Sequence, residues 1–524
     1  MLTIRQSMEL AGENLLANLA PDHNYMPYWS LWIDADLRAF SKAGGAAHNV
    51  GRWWDAMLRL EACTGFAIPP QCEAAMLQNL RRCFDNPLDL CRHLDAEGGA
   101  DGGFDNHSPR EMLLTLSGLW RWRRNRWALD QGRRFVRSLD RFIRDDGRLA
   151  WEEMRRGWPQ VGQEPAKEIQ SFPVSVRIHG RAIEGLSEFY RVSGDGAALE
   201  LADRLARLHF AHSTRADGTA PFVPDHGLHT HSFLNTLRGL LRVGEQTRQQ
   251  HYIERVAAMY RVAVCGMVRE SGFISHDWGS ELKGDTASAG DAAQIALWLG
   301  RHGYSEFLDA AQRWIRVRVL GSQLTTSPGL MPGRGEGAAT AAKSSSGADS
   351  GAALDRRALG AYGGILRHHP HGGIIPTTDV TAADLHTLCD IYAHIAERTA
   401  AGLRLNFHFD YADEAVRIDC EDGESRTVSV ALQVPQNLFV RVPRWTPSDS
   451  VEMRVDGTAR GVQMLGDFAF VPAGPAEIVL RYGLPRRQVV ESTDGVDYHF
   501  TWRGDDIAGV KPNADFLEFY PTSP

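Results

Sequence analysis

One helical unit recurs along the first part of the chain and limits the folds that it can adopt. Each copy contains two amphipathic helices joined by a short turn, with apolar residues at every third or fourth position. Four copies begin at Arg110, His179, His231 and Asp291. The first three carry a glycine at the matching place, Gly118, Gly185 and Gly239, and an earlier copy begins at His48. Because one helix pair cannot bury its apolar faces alone, the pairs must stack, either as an open solenoid or as a closed ring.

The repeat ends near residue 325, where the composition changes. Residues 332–364 are rich in Gly, Ala and Ser, which predicts a long flexible loop. A helix returns near Thr381, and Thr381 or Asp384 is expected to cap its first turn.

A second change of pattern begins at about Leu403. Seven short segments alternate apolar and polar residues, and turn residues such as Asp-Gly separate them. Strands of this length and spacing are typical of an antiparallel sandwich. We therefore predict two domains, a helical domain in residues 1–400 and an antiparallel β-sandwich in residues 401–524.

Composition and charge exclude several classes of partner. With a net charge of -8, the chain is not expected to carry the concentrated basic surface that nucleic-acid binding requires. The sequence has no apolar run long enough to span a membrane, and its first residues do not have the pattern of a secretion signal. The seven cysteines are scattered and form no CxxC pair, which is typical of free thiols in a reducing compartment. The expected location is therefore the cytoplasm.

Four stretches resemble the bacterial β-L-arabinofuranosidase family. They are HGRAIEGLSEFYRVSGD from His179, the segment GDTASAGDAAQIALWLGRHGYSEFLDAAQRW from Gly284 that continues to GSQL, TTDVTAADLHTLCDIYAHI from Thr377, and LFVRVPRWTPSDSVEMRVDG from Leu438. Their order matches that of the family over residues 175–485. The resemblance implies an (α/α)6 toroid followed by an antiparallel β-sandwich, and a carbohydrate substrate bound in the funnel of the toroid.

The sequence departs from this family at its metal site. The family holds a zinc ion with one glutamate and three cysteines, one of which is the nucleophile. The corresponding positions here are Asp285, Ala287, Thr377 and Thr378, which supply no thiolate. The resemblance therefore implies the fold and a sugar-like substrate but not thiolate chemistry, and we expect no zinc cofactor. The sequence leaves open a hard cation such as Ca²⁺ among the carboxylates.

Candidate catalytic residues are carboxylates in loops that precede inner helices. Cleavage of a glycosidic bond uses a proton donor and usually a second carboxylate that activates water or attacks the sugar. Asp277 or Glu281 is predicted to be the general acid, and Asp285 or Asp379 the base or nucleophile. The alternative for Asp285 is a helix cap in a solvated loop.

Candidate substrate-binding residues are imidazoles, indoles and one guanidinium at the same ends of the repeats. Recurring histidines before successive inner helices are expected to converge on one funnel. The set is His48, Trp54, His107, His179, Arg181, His229, His231, His276, Trp278 and His371. Trp53 and Trp54 point about 100° apart on a helix, so at most one of them faces the funnel. His371 lies close to His368 and His369 in the sequence. These three histidines could bind a metal ion, or they could be side chains of a mobile loop that bind nothing.

Three functions remain open from the sequence. The first is a glycoside hydrolase acting on an oligosaccharide that contains arabinofuranose or a uronic acid. The second is a lyase that eliminates across a uronate, with His231 or His179 as base, Arg181 as carboxylate partner and Tyr260 as proton donor. The third is a non-catalytic carbohydrate-binding protein. The sugar, the linkage and the oligomeric state, a homodimer included, are not determined.

Overall fold

The computed structural model describes residues 2–42, 47–94, 102–162, 174–221, 228–279, 284–333, 350–362, 365–366, 373–474 and 476–513. Helices dominate as far as Tyr392, and strands follow from Ala396. The α-helices are α1 (Ile4–Ala17), α2 (Ala47–Thr64), α3 (Pro70–Cys83), α4 (Pro109–Arg123), α5 (Arg126–Phe142), α6 (Trp151–Gly157), α7 (Arg181–Ser193), α8 (Gly196–His212), α9 (Thr230–Thr247), α10 (Gln250–Met259), α11 (Cys265–Met267), α12 (Thr286–Arg301), α13 (Leu308–Trp314), α14 (Gly351–Ala358) and α15 (Thr378–Tyr392). Within the described ranges, no helix is both long and apolar enough to cross a membrane.

Six helices form a closed inner ring. In order around the ring they are α2, α4, α7, α9, α12 and α15, and α15 packs against α2 to close it. An outer helix covers each of them: α3 covers α2, α5 covers α4, α8 covers α7, α10 covers α9, α13 covers α12 and α1 covers α15. This is an (α/α)6 toroid, so the prediction of a ring is confirmed and the open solenoid is excluded.

Inner helices are buried on almost every face because they contact both neighbours and the outer layer. Every residue of α12 from Thr286 to Gly300 is buried. The repeated glycines allow neighbouring inner helices to approach closely. A Cβ atom added at Gly239 of α9 would lie 2.7 Å from the Cβ of Ile183 in α7. The glycines that mark the repeat in the sequence are therefore helix-packing positions.

In the described ranges, ten short strands lie among the helices. They are β1 (Leu19–Ala20), β2 (Met26–Pro27), β3 (Ser30–Asp34), β4 (Arg38–Lys42), β5 (Leu228–His229), β6 (Asp277–Trp278), β7 (Gly284–Asp285), β8 (Met331–Pro332), β9 (Ile365–Leu366) and β10 (Gly373–Ile374). Four of them form a sheet in the order β10-β3-β4-β8, while β1 pairs with β2, β5 with β6 and β7 with β9. The β5–β6 and β7–β9 pairs connect loops that precede inner helices, whereas β1–β2 follows the outer helix α1.

Two local predictions in this region are wrong. The segment 332–364 was expected to be a loop, but its described part contains α14, whose first turn is capped by the Ser350 side chain. The helix expected near Thr381 begins earlier, at Thr378. Thr377 caps it, because its Oγ1 accepts a hydrogen bond from the Val380 amide at 3.1 Å.

The remaining strands form two large sheets and one small sheet. They are β11 (Ala396–Thr399), β12 (Gly402–Leu405), β13 (Tyr411–Ala412), β14 (Val416–Asp422), β15 (Ser425–Leu432), β16 (Leu438–Arg441), β17 (Glu452–Val455), β18 (Thr458–Arg460), β19 (Gln463–Leu465), β20 (Phe468–Val471), β21 (Glu477–Gly483), β22 (Arg486–Thr493), β23 (Val496–Arg503) and β24 (Asp506–Lys511). The sheet orders are β11-β12-β16-β20-β19, β13-β14-β15-β21-β17-β18 and β22-β23-β24.

The two larger sheets make the predicted sandwich. Alternate residues of β15 are buried, as expected for a strand with one face in a core. Leu405 and Val440 of one sheet share a hydrophobic cluster with Val428 and Leu480 of the other. All neighbouring strands in the sandwich are antiparallel except β12 and β16, which are parallel. The three-stranded sheet after the sandwich was not predicted, and residue 400 falls in the turn between β11 and β12.

Candidate active site

The first turns of five inner helices meet at one end of the toroid. His48 of α2 and Asp379 of α15 form an ion pair, with Nε2 and Oδ1 2.6 Å apart. Arg52 lies one turn further along α2, and its Nε is 3.1 Å from the same Asp379 oxygen. Arg52 also bonds the His231 ring of α9. Helices that are distant in sequence thus place a carboxylate, two imidazoles and a guanidinium in one cluster.

A second carboxylate, Glu111 of α4, ties this cluster to α7. Arg181 Nη2 pairs with Glu111 Oε1, and Arg52 Nε lies 3.5 Å from the same oxygen. Although burial raises its pKa, the charges of Arg181, His48 and Arg52 hold the pKa of Glu111 well below its ordinary value. Glu111 is therefore a buried anion that fixes the cationic side chains around it.

Asp379 is the most accessible carboxylate of this cluster. Its side chain is 25% exposed, whereas those of His48, Arg52 and Glu111 are almost fully buried. Burial raises the pKa of Asp379, but the charges of His48 and Arg52 outweigh burial and lower it. The carboxylate is ionised at neutral pH and can be reached from solvent, as a nucleophile must be, although its lowered pKa makes it a weak general base.

Five imidazoles lie side by side across the mouth of the toroid. We call His48, His107, His229, His231 and His276 the histidine belt. Ring centroids are separated by 5.1 Å for His48 and His107, 5.6 Å for His107 and His229, 4.9 Å for His229 and His276, and 6.1 Å for His229 and His231. The belt starts beside Asp379 and ends at a second carboxylate, because His276 Nδ1 lies 3.0 Å from Oδ2 of the neighbouring residue Asp277.

The pKa is shifted upward at the two ends of the belt and downward at its centre. Burial lowers the pKa of His48 and His276, but Asp379 and Glu111 raise it at His48, while Asp277 and Asp285 raise it at His276, and the net shift is upward at both. The three central rings behave differently. Burial, together with the charges of Arg181, Arg52 and Arg177 and of neighbouring imidazoles, lowers the pKa of His107, His229 and His231. Imidazoles that favour the protonated form and imidazoles that favour the neutral form therefore occupy one site.

Asp277 and Trp278 reach the mouth through a two-residue ladder. In the antiparallel pair β5–β6, His229 lies opposite Asp277 and Leu228 lies opposite Trp278. The Asp277 side chain is 37% exposed, and Trp278 is half-buried. The ladder brings residues from two different repeats to the same edge of the mouth.

Below the mouth, ion pairs fill the lumen. Glu184 of α7 accepts hydrogen bonds from Arg110 at 2.6 Å and from Arg238 at 2.5 Å, and Arg238 also bonds Asp291 of α12 at 2.9 Å. On α2 and α15, Asp55 lies 2.5 Å from the His386 ring. Of these residues, Glu184, Arg110, Arg238, Asp291 and His386 were not predicted to belong to a site. Their signal in the sequence is a polar stripe at helical spacing on helices that are otherwise buried, as in His48, Arg52, Asp55 and Arg59 of α2.

Both tryptophans of α2 lie in the hydrophobic core. Trp54, which was predicted to bind substrate, therefore does not lie at the mouth. Trp54 is fully buried, and its Nε1 donates to the Met76 carbonyl of α3 at 3.2 Å. Trp53 is also buried and donates to the Leu15 carbonyl of α1 at 3.3 Å. The polar stripe occupies the lumen face of α2, which turns both indoles towards the outer layer.

His179 and Tyr260 also lie away from the mouth. His179 Nδ1 is 2.9 Å from Nε2 of His209 on the outer helix α8, and burial lowers its pKa to about 4. Tyr260 is buried against Phe307 and Trp314. These positions do not support His179 as the base or Tyr260 as the proton donor of a lyase, whereas His231, the other predicted base, lies at the mouth.

Arg181 and Asp285 occur where they were expected but already have structural partners. Arg181 is buried between Glu111 and His107, so its guanidinium holds protein groups and not a substrate carboxylate. Asp285 caps α12, with Oδ1 accepting from the Ala287 amide at 3.0 Å. Glu281 and His371, together with His368 and His369, lie outside the described residues.

The positions that correspond to the zinc site of the resembling family do not fit a metal ion. Asp285 Oδ1 accepts the cap hydrogen bond, and Thr377 Oγ1 caps α15. Thr378 Oγ1 donates to the Tyr28 carbonyl at 2.5 Å, and Ala287 has no donor atom. In the part of the chain that the structure describes, no group of three or more His, Cys, Asp or Glu side chains is arranged to hold a metal ion.

Neither a protein-family model nor a curated protein matches the sequence. Solved structures do match its fold. A GH127 β-L-arabinofuranosidase from Geobacillus stearothermophilus T6 is 12% identical, with a TM-score of 0.54 over 88% of this chain and 77% of that one. Another GH127 β-arabinofuranosidase is 12% identical, with a TM-score of 0.59 over 95% and 78%. A sugar epimerase from a ruminal bacterium is 13% identical, with a TM-score of 0.51 over 75% and 98%. The resemblance seen in the sequence is thus confirmed at the level of the fold, which is that of the GH127 β-L-arabinofuranosidases.

Proposed function

We propose that the protein is a glycoside hydrolase that cleaves a glycosidic bond of an oligosaccharide at the mouth of the toroid. One observation supports this most directly. Two solvent-accessible carboxylates, Asp379 and Asp277, lie at the ends of the histidine belt. The fold shared with arabinofuranosidases favours the same class of reaction, and arabinofuranosides and uronic-acid-containing oligosaccharides are the substrates to test first.

In this proposal Asp379 is the base or nucleophile. Its carboxylate stays ionised because His48 and Arg52 stabilise the negative charge. Asp277 and His276 share one proton across the 3.0 Å between Oδ2 and Nδ1, and this pair supplies it to the leaving oxygen, with Glu281 as the alternative donor. His276 is suited to support this step because Asp277 and Asp285 raise its pKa, which favours the protonated ring. Trp278 offers an apolar ring for the sugar. Asp285 is assigned to helix capping and not to catalysis.

The test compares Asp379→Asn and Asp277→Asn with the wild type on a panel of plant and algal oligosaccharides, with and without chelator. Loss of a catalytic carboxylate is expected to lower kcat/KM by at least about 100-fold, while circular dichroism and Tm show a folded protein. Asp419→Asn is the matched control, since Asp419 is an exposed carboxylate that pairs with Arg417 in β14. Full activity in both site variants contradicts the assignment. Saccharide binding without any product supports a non-catalytic protein instead.

A second candidate is a reaction that begins by removing a proton from a sugar carbon, as in epimerisation or β-elimination. The observation in its favour is the split in pKa within the histidine belt, where His229, whose pKa is lowered, lies beside His276, whose pKa is raised. Such a pair of imidazole states can remove a proton on one side and return one on the other. Incorporation of deuterium from D2O into uncleaved sugar indicates epimerisation, and an ultraviolet-absorbing unsaturated product indicates elimination.

A further inference from the structure

The four-stranded sheet β10-β3-β4-β8 carries an aromatic pair on its outer face. Trp32 of β3 lies directly opposite Phe40 of β4. Their ring centroids are 5.9 Å apart and their planes differ by 10°. We call these two residues the aromatic platform. Trp32 is 40% exposed, although a tryptophan usually buries most of its surface.

The platform does not belong to the core of this sheet. The opposite face holds the core, where Leu31, Ile33 and Ala39 pack against Leu354 and Ala358 of α14. Removing Trp32 and Phe40 from the outer face therefore leaves that core intact. Charged side chains flank the rings, because Asp34 and Arg38 lie at the ends of the same strands and are about half exposed. A flat apolar surface with polar groups at its border is suited to a ligand that has an apolar face and a hydroxylated rim.

The platform is continuous with the candidate active site through backbone hydrogen bonds. The Leu31 amide donates to the Pro376 carbonyl at 2.9 Å, and the Thr378 amide donates to the Trp29 carbonyl at 3.2 Å. Ile33 lies opposite Ile374, so the same register places Trp32 opposite residue 375, four residues before Asp379. Four residues span at most about 14 Å. The separation between the two places is therefore no greater than the length of an oligosaccharide of a few rings.

We propose that Trp32 and Phe40 form a carbohydrate-binding subsite that holds a distal ring of the oligosaccharide whose scissile bond lies at Asp379. This inference rests on the proposed function of the mouth. The apolar C–H face of the sugar packs on the indole and phenyl rings, and its hydroxyl groups bond Asp34 and Arg38. The substrate class is consequently an oligosaccharide long enough to reach both places, and the platform adds affinity for longer chains without taking part in the chemistry.

The test measures affinity as a function of chain length. Linear arabino-oligosaccharides and oligogalacturonides of two to six residues are titrated by calorimetry against the Asp379→Asn protein, with and without Trp32→Ala or Phe40→Ala. The Kd of the longest bound oligosaccharide is expected to rise roughly tenfold in Trp32→Ala, since one stacking contact is lost, while that of the disaccharide changes less than twofold. Trp32→Tyr is expected to restore most of the affinity.

Phe470→Ala is the matched control, because Phe439 and Phe470 form another half-buried cross-strand aromatic pair, tilted by 38°, in the sandwich. Any of three results overturns the proposal for the platform. They are equal losses of affinity at all chain lengths, no binding of either oligosaccharide series, and an effect of Trp32→Ala that sedimentation shows on dimerisation alone. The two proposals fail separately. Length-dependent binding through Trp32 without cleavage contradicts only the hydrolase, whereas cleavage that requires Asp379 but ignores Trp32 contradicts only the platform.

Discussion

Two buried histidines, His179 and His209, have no role at the mouth of the toroid but affect how stability depends on pH. They are bonded to each other, and His209 Nδ1 continues to the Ser213 hydroxyl at 2.7 Å. Burial lowers the pKa of His179 to about 4 and that of His209 well below its ordinary value of 6.5. Both rings are therefore neutral in the folded protein, and the unfolded chain binds their protons first as the pH falls.

Because the unfolded chain binds these protons more readily than the folded protein, we expect the free energy of unfolding to be highest above pH 6.5 and to decrease as the pH falls towards 4. His179 alone should remove about 2 kcal/mol between pH 7.5 and pH 5, because its pKa differs by about 2.5 units between the unfolded and folded states. Urea unfolding at a series of pH values measures this slope. His179→Asn should flatten it, while His499→Gln, which removes an exposed histidine, should leave it unchanged. An identical slope in His179→Asn contradicts the prediction.

The position of His179 could not be predicted from its place before an inner helix. His229 and His231 also precede or begin an inner helix, and both point into the mouth. The difference is a turn of π-helix over Val176–Gly180, which adds one residue to the turn in front of α7. One residue rotates a helical side chain by about 100°, so His179 faces the outer layer. The sequence shows where the inner helices begin and therefore which segments lie near the mouth. The direction of each side chain depends on such local turns.

At the scale of secondary structure, the repeat was predicted because it is periodic, whereas the short strands were not. A two-residue strand such as β5 or β6 carries no alternation that a sequence could reveal. It forms because the toroid brings residues 229 and 277 together, and this contact places Asp277 at the mouth. The repeated glycines were visible in the sequence as a spacing. Their physical meaning, the close approach of two inner helices, appears only when the neighbouring helix is known.

Gly239 offers a direct test of this packing. A Cβ atom at this position would lie 2.7 Å from the Ile183 Cβ and 3.1 Å from the Glu184 amide nitrogen, and a backbone atom cannot move aside without shifting α7. Gly239→Ala is therefore expected to destabilise the protein by about 1–3 kcal/mol despite the better helix propensity of alanine. Differential scanning calorimetry should show a lower Tm.

The control for this substitution is Gly196→Ala at the start of α8. No atom lies within 4 Å of the position that its Cβ would occupy. Alanine there should leave Tm unchanged or raise it slightly, because it restricts the unfolded chain. If both variants change Tm in the same way, helix propensity and not close packing determines the effect of replacing the repeated glycines. Because Glu184 follows Ile183 in α7 and bonds Arg238 in the lumen, a shift of α7 should also lower activity in Gly239→Ala.

For the whole molecule, the main question is how a helical ring and three sheets hold together. A buried polar cluster lies where they meet. Gln312 of α13 donates to Asp505 at 2.6 Å, and Arg426 of β15 donates to Asp505 at 2.6 Å and to Asp506 at 2.7 Å. Arg316, just after α13, bonds the His408 carbonyl. The cluster thus connects the toroid, the six-stranded sheet and the three-stranded sheet.

Arg426 is central to this cluster, and its side chain is completely buried. Arg426→Met removes the cation but leaves Asp505 and Asp506 away from water without their main partner. The expected loss is about 3–5 kcal/mol in the free energy of unfolding, as for other buried pairs from which one member is removed. Arg417→Met, one strand away in β14, removes an exposed pair with Asp419 and should leave the free energy of unfolding nearly unchanged. Urea unfolding distinguishes these outcomes.

The same variant tests whether the three-stranded sheet depends on the cluster. Because β22-β23-β24 joins the rest of the molecule partly through Asp505 and Asp506, its amides should exchange with solvent earlier than those of the sandwich once Arg426 is lost. Adding Asp505→Asn to Arg426→Met removes one unpaired charge and should recover part of the lost stability, which a double-mutant cycle can measure. Uniform faster exchange across all three sheets would contradict a local role, because it would mean that the cluster stabilises the molecule only as a whole.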